Sequence, residues 1–211
     1  MKCVCPGSAS VSYSQVWLRG DSEGPSAHVH EGVRLADKSG WVAVGELLPD
    51  TEPEVFKALI RAVDNEAKTR WTRTLGDGHQ NSSKGAASVG FSVIEGSSAL
   101  YIGLGLWQKN SSVMAPAVMA LDPSTGATLW TKVLGSGTHL DQPGHGGVRS
   151  CIMDNTDIVC AGFIGEGSPG FKFVADAGTP AVWRLDTSGN LLSEKILEVG
   201  GKISQCLKLL R

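Results

Sequence analysis

The sequence contains few charged residues, few aromatic residues and no long apolar run. Charged residues make up 19% of the chain, aromatic residues make up 6%, and the formal net charge is −2. A membrane-spanning helix needs about 18 or more consecutive apolar residues, so the sequence predicts no membrane span. Nucleic-acid binding usually requires a basic face, and the near-neutral charge therefore argues against a nucleic-acid partner.

The N-terminus and the cysteines exclude further classes. Residues 1–15 contain one lysine but no apolar core segment, so they do not predict a signal peptide. The localisation stays open, with the cytoplasm as the default expectation, and we expect residues 1–12 to be disordered. The five cysteines are an odd number, which does not suit a regular disulfide framework at this length.

Glycine is abundant, and the chain contains an internal repeat. The 27 glycines are typical of short strands joined by tight turns. WTRTLG at 71–76 recurs as WTKVLG at 130–135, about 58 residues later. An apolar run that ends in aspartate stands before each copy, and a third such run is followed by SEKILE, with Ser193 in place of the tryptophan. These runs are LIRAVD at 59–64, AVMALD at 117–122 and AVWRLD at 181–186.

A second repeated piece has the pattern of a β-hairpin. Gly32–Gly45 and Gly90–Gly103 align without a gap, and residues 148–161 form a third copy. Each copy is an apolar strand, a polar turn and another apolar strand. Together the two pieces give four short strands per repeat, which we call A to D. This is the pattern of a β-propeller blade, and the tryptophan of strand D is large enough to fill the gap between blades.

We therefore predict an all-β fold of β-propeller blades, with three complete four-stranded antiparallel blades and one flanking strand at each end, in a repeat domain over 13–211. Three blades are too few to close a ring, since propellers have about four or more. We expect an incomplete propeller that is closed by missing blades or by self-association. The predicted blades are 32–76, 90–135 and 147–197, and the predicted flanking strands are 13–19 and 202–209.

One segment also fits a helix. Residues 51–54 form a capping-box pattern, and the apolar residues of 52–68 have helical spacing. We predict a strand at 57–64 because its register matches the other two copies, with a short helical turn over 52–56.

The repeat resembles two known families. Ala120-Leu-Asp-Pro-Ser-Thr-Gly-Ala-Thr-Leu-Trp130 resembles the core of the quinoprotein (PQQ) dehydrogenase-like propeller repeat, and residues 182–201 are similar to the bacterial SBBP repeat. The resemblance implies the blade fold. Enzymatic members bind pyrroloquinoline quinone and calcium, but no residue here matches their ligand or catalytic motifs, so we assign no catalytic residue. Asp122 and its counterparts are predicted to cap turns.

The long connections B–C and D–A leave one side of a blade array, so function is expected there. We place all five histidines in D–A connections and Trp107 in a B–C connection. The histidines either bind zinc or copper or are polar residues in exposed loops. Trp107 either stacks on a ligand or packs beneath its own loop. The candidate ligand-binding residues are His28, His30, His79, Trp107, His139 and His145.

Cys151 and Cys160 fall at equivalent positions across the third predicted hairpin. Directly opposed residues in an antiparallel pair come close enough for a disulfide. The alternative is two reduced, buried thiols, as expected in a reducing compartment.

The functional prediction is a non-catalytic scaffold that binds a protein, peptide or glycan on its long-loop side. The alternative is a fragment of a PQQ-dependent or other propeller-type oxidoreductase. We expect no cofactor for the scaffold; zinc or calcium remains an option, and PQQ is not expected.

Overall fold

A computed structural model describes residues 26–48, 57–76, 88–107, 114–135, 146–165 and 178–197. These residues form twelve β-strands, and no helix occurs among them. None of the described segments is a helix that could cross a membrane. The strands are β1 Ser26–Arg34, β2 Gly40–Leu48, β3 Lys57–Asp64, β4 Thr69–Leu75, β5 Val89–Glu95, β6 Leu100–Trp107, β7 Met114–Leu121, β8 Thr128–Val133, β9 Gly147–Asp154, β10 Asp157–Gly165, β11 Gly178–Asp186 and β12 Leu191–Ile196.

The strands form three separate four-stranded sheets, each built from four consecutive strands in chain order. All neighbouring strands pair antiparallel. We call these sheets blades 1, 2 and 3. The first strands of the blades are in contact, since β5 packs against both β1 and β9. The all-β fold of three antiparallel blades is therefore confirmed.

Each pair of neighbouring blades encloses an apolar layer. The layer between blades 1 and 2 is centred on residues such as Val42 and Ile60 of blade 1 and Ile102 of blade 2, all fully buried. The layer between blades 2 and 3 contains Tyr101 of blade 2 and Trp183 of blade 3. The first three strands of blade 2 are buried on both faces, which explains why β7 reads as a continuous apolar run without alternation.

A tryptophan on the fourth strand connects each of the first two blades to the next. Trp71 donates its indole Nε1–H to the carbonyl of Pro123 at 3.1 Å, and Trp130 donates to the carbonyl of Thr187 at 3.0 Å. Both acceptors lie in the turn between the third and fourth strands of the following blade. Gly126 in the first of these turns has φ +71°, and a Cβ there would lie 2.6 Å from the Trp71 ring. We call these two contacts the tryptophan latches.

The aspartate that precedes each latch turn organises it. Asp122 Oδ1 accepts hydrogen bonds from the backbone N–H groups of Ser124 and Thr125 and from both hydroxyls. These bonds, led by the Ser124 hydroxyl, lower the pKa of Asp122 to about 2. Asp64 and Asp186 accept equivalent backbone bonds in the other two blades. The aspartates therefore cap turns, as the repeat predicts.

The ambiguous segment at 52–68 forms strand β3 over Lys57–Asp64, and the predicted turn over 52–56 lies outside the described residues. The predicted first blade began at 32, whereas β1 begins at Ser26. The gapless hairpin alignment is wrong. The first turn closes from Leu35 to Gly40 and the second from Gly96 to Ala99, so the first hairpin contains extra turn residues. The predicted flanking strands 13–19 and 202–209 lie outside the described residues.

Candidate functional site

The first strand of each blade contains a β-bulge at an equivalent position. The register of β1 shifts between Val29 and Glu31, that of β5 between Gly90 and Ser92, and that of β9 between Val148 and Ser150. The residue left unpaired is His30 in blade 1, Phe91 in blade 2 and Arg149 in blade 3. A bulge re-aims the side chain of its extra residue, and here the three re-aimed side chains lie beside one another.

We call His30, Phe91 and Arg149 the bulge row. The rings of His30 and Phe91 have centroids 5.6 Å apart. The Arg149 guanidinium carbon lies 4.0 Å from the Phe91 centroid and 5.3 Å from that of Phe163. These distances correspond to cation–π contacts. The row is therefore continuous across all three blades.

In blades 1 and 2, the residue that follows the bulge forms a hydrogen bond to the next blade. The Glu31 carboxylate accepts a hydrogen bond from the backbone N–H of Val93 at 3.0 Å. The Ser92 hydroxyl accepts the equivalent bond from Cys151 N–H, also at 3.0 Å. These bonds join the first strands of neighbouring blades directly beside the bulge row. The stacking of the blades therefore fixes where the side chains of the row lie.

Glu46 extends the row at the blade 1 end. It lies directly opposite His28 in the β1–β2 ladder, and its Oε1 is 3.0 Å from His28 Nδ1. Its Oε2 is 3.8 Å from His30 Nε2. Burial raises the pKa of Glu46, but the neighbouring imidazoles of His30 and His28 together outweigh burial and hold it below its ordinary value. Glu46 is therefore a carboxylate near neutral pH although only 6% of it is exposed.

Arg149 is the cationic counterpart at the blade 3 end. Burial lowers the pKa of Arg149, and the Glu46 carboxylate raises it in part. Among the described residues no carboxylate lies within ion-pair distance of Arg149. Gly147, two residues earlier on β9, leaves room for the aromatic partner, because a Cβ there would lie 2.7 Å from the Phe91 ring.

Two buried side-chain polar atoms of the described residues lack a hydrogen-bond partner, and both belong to this site. They are Glu46 Oε2, an acceptor, and Arg149 Nε, a donor. A buried polar atom without a partner costs about 1 to 3 kcal/mol. The structure therefore contains a buried acceptor and a buried donor, and neither forms a hydrogen bond.

The site lies on one side of the blade array. The bulges are near the starts of β5 and β9 and at the middle of β1, while Glu46 and Phe163 are near the ends of β2 and β10. We call this side, where first strands begin and second strands end, the connection face. The opposite side, with the tight hairpin turns, is the turn face.

The structure brings together two of the predicted site residues and places a third beside them. His28 and His30 lie on strand β1, so the prediction of a loop is wrong for both. His28 pairs with Glu46 in the ladder, and His30 is the unpaired residue of the bulge. Trp107 is likewise not in a loop but ends β6, where it packs against Val89, Phe91 and Met114. The other candidates, His79, His139 and His145, lie outside the described residues.

The sequence interpretation missed Glu46, Phe91, Arg149 and Phe163. A charged residue within an otherwise apolar strand was a usable signal, since Glu46 ends the run WVAVGE and Arg149 follows Val148 at the start of β9. Nothing in the sequence marks Phe91, because an aromatic residue in a strand is ordinary.

Cys151 and Cys160 are directly opposite each other in the β9–β10 ladder. Their sulfur atoms are bonded at 2.06 Å, and their Cα atoms are 4.1 Å apart. The disulfide lies within the apolar layer between blades 2 and 3, beside Trp183. It is buried and does not touch the bulge row. Within the described ranges, no group of three histidine, cysteine, aspartate or glutamate side chains is arranged to hold a metal ion.

Comparison with known proteins gives a likeness among solved structures alone. No family model matches the chain, and no curated protein matches it. Among solved structures, the chain is similar to BamB from Moraxella catarrhalis, with 16% sequence identity and a TM-score of 0.32. The match covers 79% of this chain and 64% of that chain. The architecture described above rests on the strand pairing of this chain, not on that likeness.

Proposed function

We propose that this protein is a non-catalytic β-propeller scaffold that binds a protein, peptide or glycan partner on its connection face. The observation that supports it is a pair of buried polar atoms without hydrogen-bond partners, Arg149 Nε in the bulge row and Glu46 Oε2 beside it. Desolvated polar groups without partners inside a fold are costly. A bound partner that offers a complementary donor and acceptor would remove that cost.

The quinoprotein-like and SBBP-like character of the repeat stays a prediction from the sequence resemblance. The oxidoreductase alternative rests on the same resemblance, and no contact among the described residues favours it. The bulge row and its neighbours Glu46, His28 and Phe163 together offer a guanidinium, a carboxylate, imidazoles and phenyl rings. This is a recognition set with opposite charges at its two ends, and it suits the orientation of a polar partner against apolar walls.

The test is to screen the full chain against a displayed random-peptide library and a glycan array, and then to map the binding. His28→Ala alters the connection face of blade 1. Lys68→Ala alters an exposed residue in the β3–β4 turn of the same blade, on the turn face. We expect specific binders whose affinity falls at least about tenfold with His28→Ala and stays unchanged with Lys68→Ala. Binding that depends on Lys68 but not on His28, or no saturable binder from either collection, would contradict the proposal.

A further inference from the structure

We propose that the bulge row recognises a carboxylate carried by a peptide, with Arg149 as the carboxylate receptor and Glu46 as the acceptor for a neighbouring peptide N–H. This inference rests on the proposed function and names its ligand chemistry.

The first step concerns what Arg149 lacks. The phenyl ring of Phe91 at 4.0 Å, with that of Phe163 farther away at 5.3 Å, engages the guanidinium through π contacts. Such contacts stabilise the positive charge but provide no acceptor in the plane of the N–H groups. Arg149 Nε is buried without a partner. A carboxylate binds a guanidinium through two parallel N–H···O bonds, and one of the edges suited to this geometry includes Nε.

The second step concerns the charge around the site. Glu46 accepts a hydrogen bond from His28 through Oε1, and His30 lies 3.8 Å from Oε2. The two imidazoles thus lie beside the Glu46 carboxylate, and no carboxylate among the described residues pairs with Arg149. A ligand carboxylate would supply that counter-charge. The two atoms without partners have opposite requirements: Arg149 Nε needs an acceptor, and Glu46 Oε2 needs a donor.

The third step selects a peptide over a sugar. A residue of an acidic peptide carries both a carboxylate and an N–H donor, one for each of the two atoms without a hydrogen-bond partner. Sugars usually stack on an open aromatic face, but the guanidinium of Arg149 occupies a face of Phe91. The aromatic rings of the row therefore act as walls that orient Arg149, and the polar atoms are left to contact the ligand.

The experiment reads Arg149 directly. The full chain labelled with ¹⁵N at arginine Nε is titrated with N-acetyl-glutamate N-methylamide, with its neutral glutamine counterpart, and with acetate, inorganic phosphate and glucuronate. We expect a saturable shift of the Arg149 Nε–H resonance with the glutamate compound and none with the glutamine compound. Acetate should bind about tenfold more weakly because it brings no N–H for Glu46.

Matched variants test the two roles. Arg149→Lys keeps the charge but loses the planar fork, and it should weaken binding of the glutamate compound at least about tenfold. Arg184→Lys makes the same change at an arginine that is already paired with Asp154 and Asp157, and it should leave binding unchanged. Glu46→Gln should remove the preference for the glutamate compound over acetate. The comparison of glutamate with glutamine in the unmodified chain needs no variant, so the test stands even if Arg149→Lys is unstable.

Several results would overturn the inference. Equal shifts with the glutamate and glutamine compounds would show that the carboxylate is not recognised. Equal affinity for acetate would remove the role of the N–H donor. Tighter binding of phosphate or glucuronate would assign the site to another ligand class. Connection-face binders that survive Arg149→Lys unchanged would refute this inference and leave the proposed function standing.

Discussion

Blades 2 and 3 each have one face that points toward the following position in the array. These equivalent faces differ where the third strand pairs with the fourth. In blade 2 this face is buried against blade 3, with Ala120 fully buried opposite Trp130 in the ladder. In blade 3 the same two positions are Arg184 and Ser193, again directly opposite each other. Arg184 pairs with Asp157 at 2.6 Å and with Asp154 at 3.1 Å.

The difference shows that a tryptophan latch is a property of two positions. A small residue on the third strand lies opposite the tryptophan on the fourth, as Ala62 lies opposite Trp71 and Ala120 opposite Trp130. Where the third strand carries a long charged side chain, the fourth carries serine. At this pair of positions, blades 1 and 2 have alanine and tryptophan, which pack against the next blade. Blade 3 has arginine and serine, and its arginine forms ion pairs, so both positions differ together.

The largest expected effect comes from converting the sealed face into the charged one. Ala120→Arg places a guanidinium in the apolar layer between blades 2 and 3 and should lower the free energy of unfolding by more than about 4 kcal/mol, because it buries an unpaired charge and overfills the layer. Arg184→Ala, the reverse change on blade 3, should cost far less because its ion pairs are partly exposed. Urea unfolding measures both. Similar losses for the two variants would refute the distinction between the faces.

The next effect removes the latches themselves. Trp71→Ala and Trp130→Ala should each lower the free energy of unfolding by about 3 kcal/mol through lost packing and a lost indole hydrogen bond. Ser193→Ala, at the corresponding exposed position, should change it by less than about 0.5 kcal/mol. Thermal and urea unfolding of the three variants provide the comparison. A Ser193→Ala loss as large as that of either tryptophan variant would show that the third position also seals a junction.

The smallest effect concerns the turn that receives the first latch. The Asp122 pKa of about 2, below the ordinary 3.8, means that its carboxylate stabilises the fold above pH 3.8 and that this contribution is lost as the pH falls toward about 2. Asp122→Asn should therefore be less stable than the unmodified chain near neutral pH, and the difference should shrink over that acid range. Urea unfolding at a series of pH values measures it, with Lys68→Ala as a control. A difference that does not change with pH would mean that the charge of Asp122 contributes nothing.

Much of the fold could be predicted from the sequence because the same strand pattern occurs in three copies. The aspartate turns, the tryptophans and the apolar runs recur, and a strand assignment at 57–64 followed from register although the local pattern also fitted a helix. The loop assignment of His28 and His30 failed for a physical reason. Strand β1 is polar at its start, because those residues meet Glu46 rather than an apolar layer, so the usual strand pattern is absent there.

The site was less accessible because a bulge has no compositional mark. His30, Phe91 and Arg149 occupy the same structural position but share neither charge nor size, so no alignment of the repeats pairs them. The insertion in the first hairpin turn also shifts their spacing. Their proximity follows only when the ladders are known, since the register shift directs each side chain toward its neighbours.

The bulges also have an evolutionary consequence. A bulged residue is left out of the ladder, and here none of the three contributes to the two main apolar layers between the blades. Selection on these two layers therefore acts on other positions, and each blade carries one position outside the ladder that can change identity without changing the strand pairing. Duplication of a blade copies the bulge, while later substitution sets what that blade contributes to recognition. The array can acquire a new specificity by exchanging single side chains along one row.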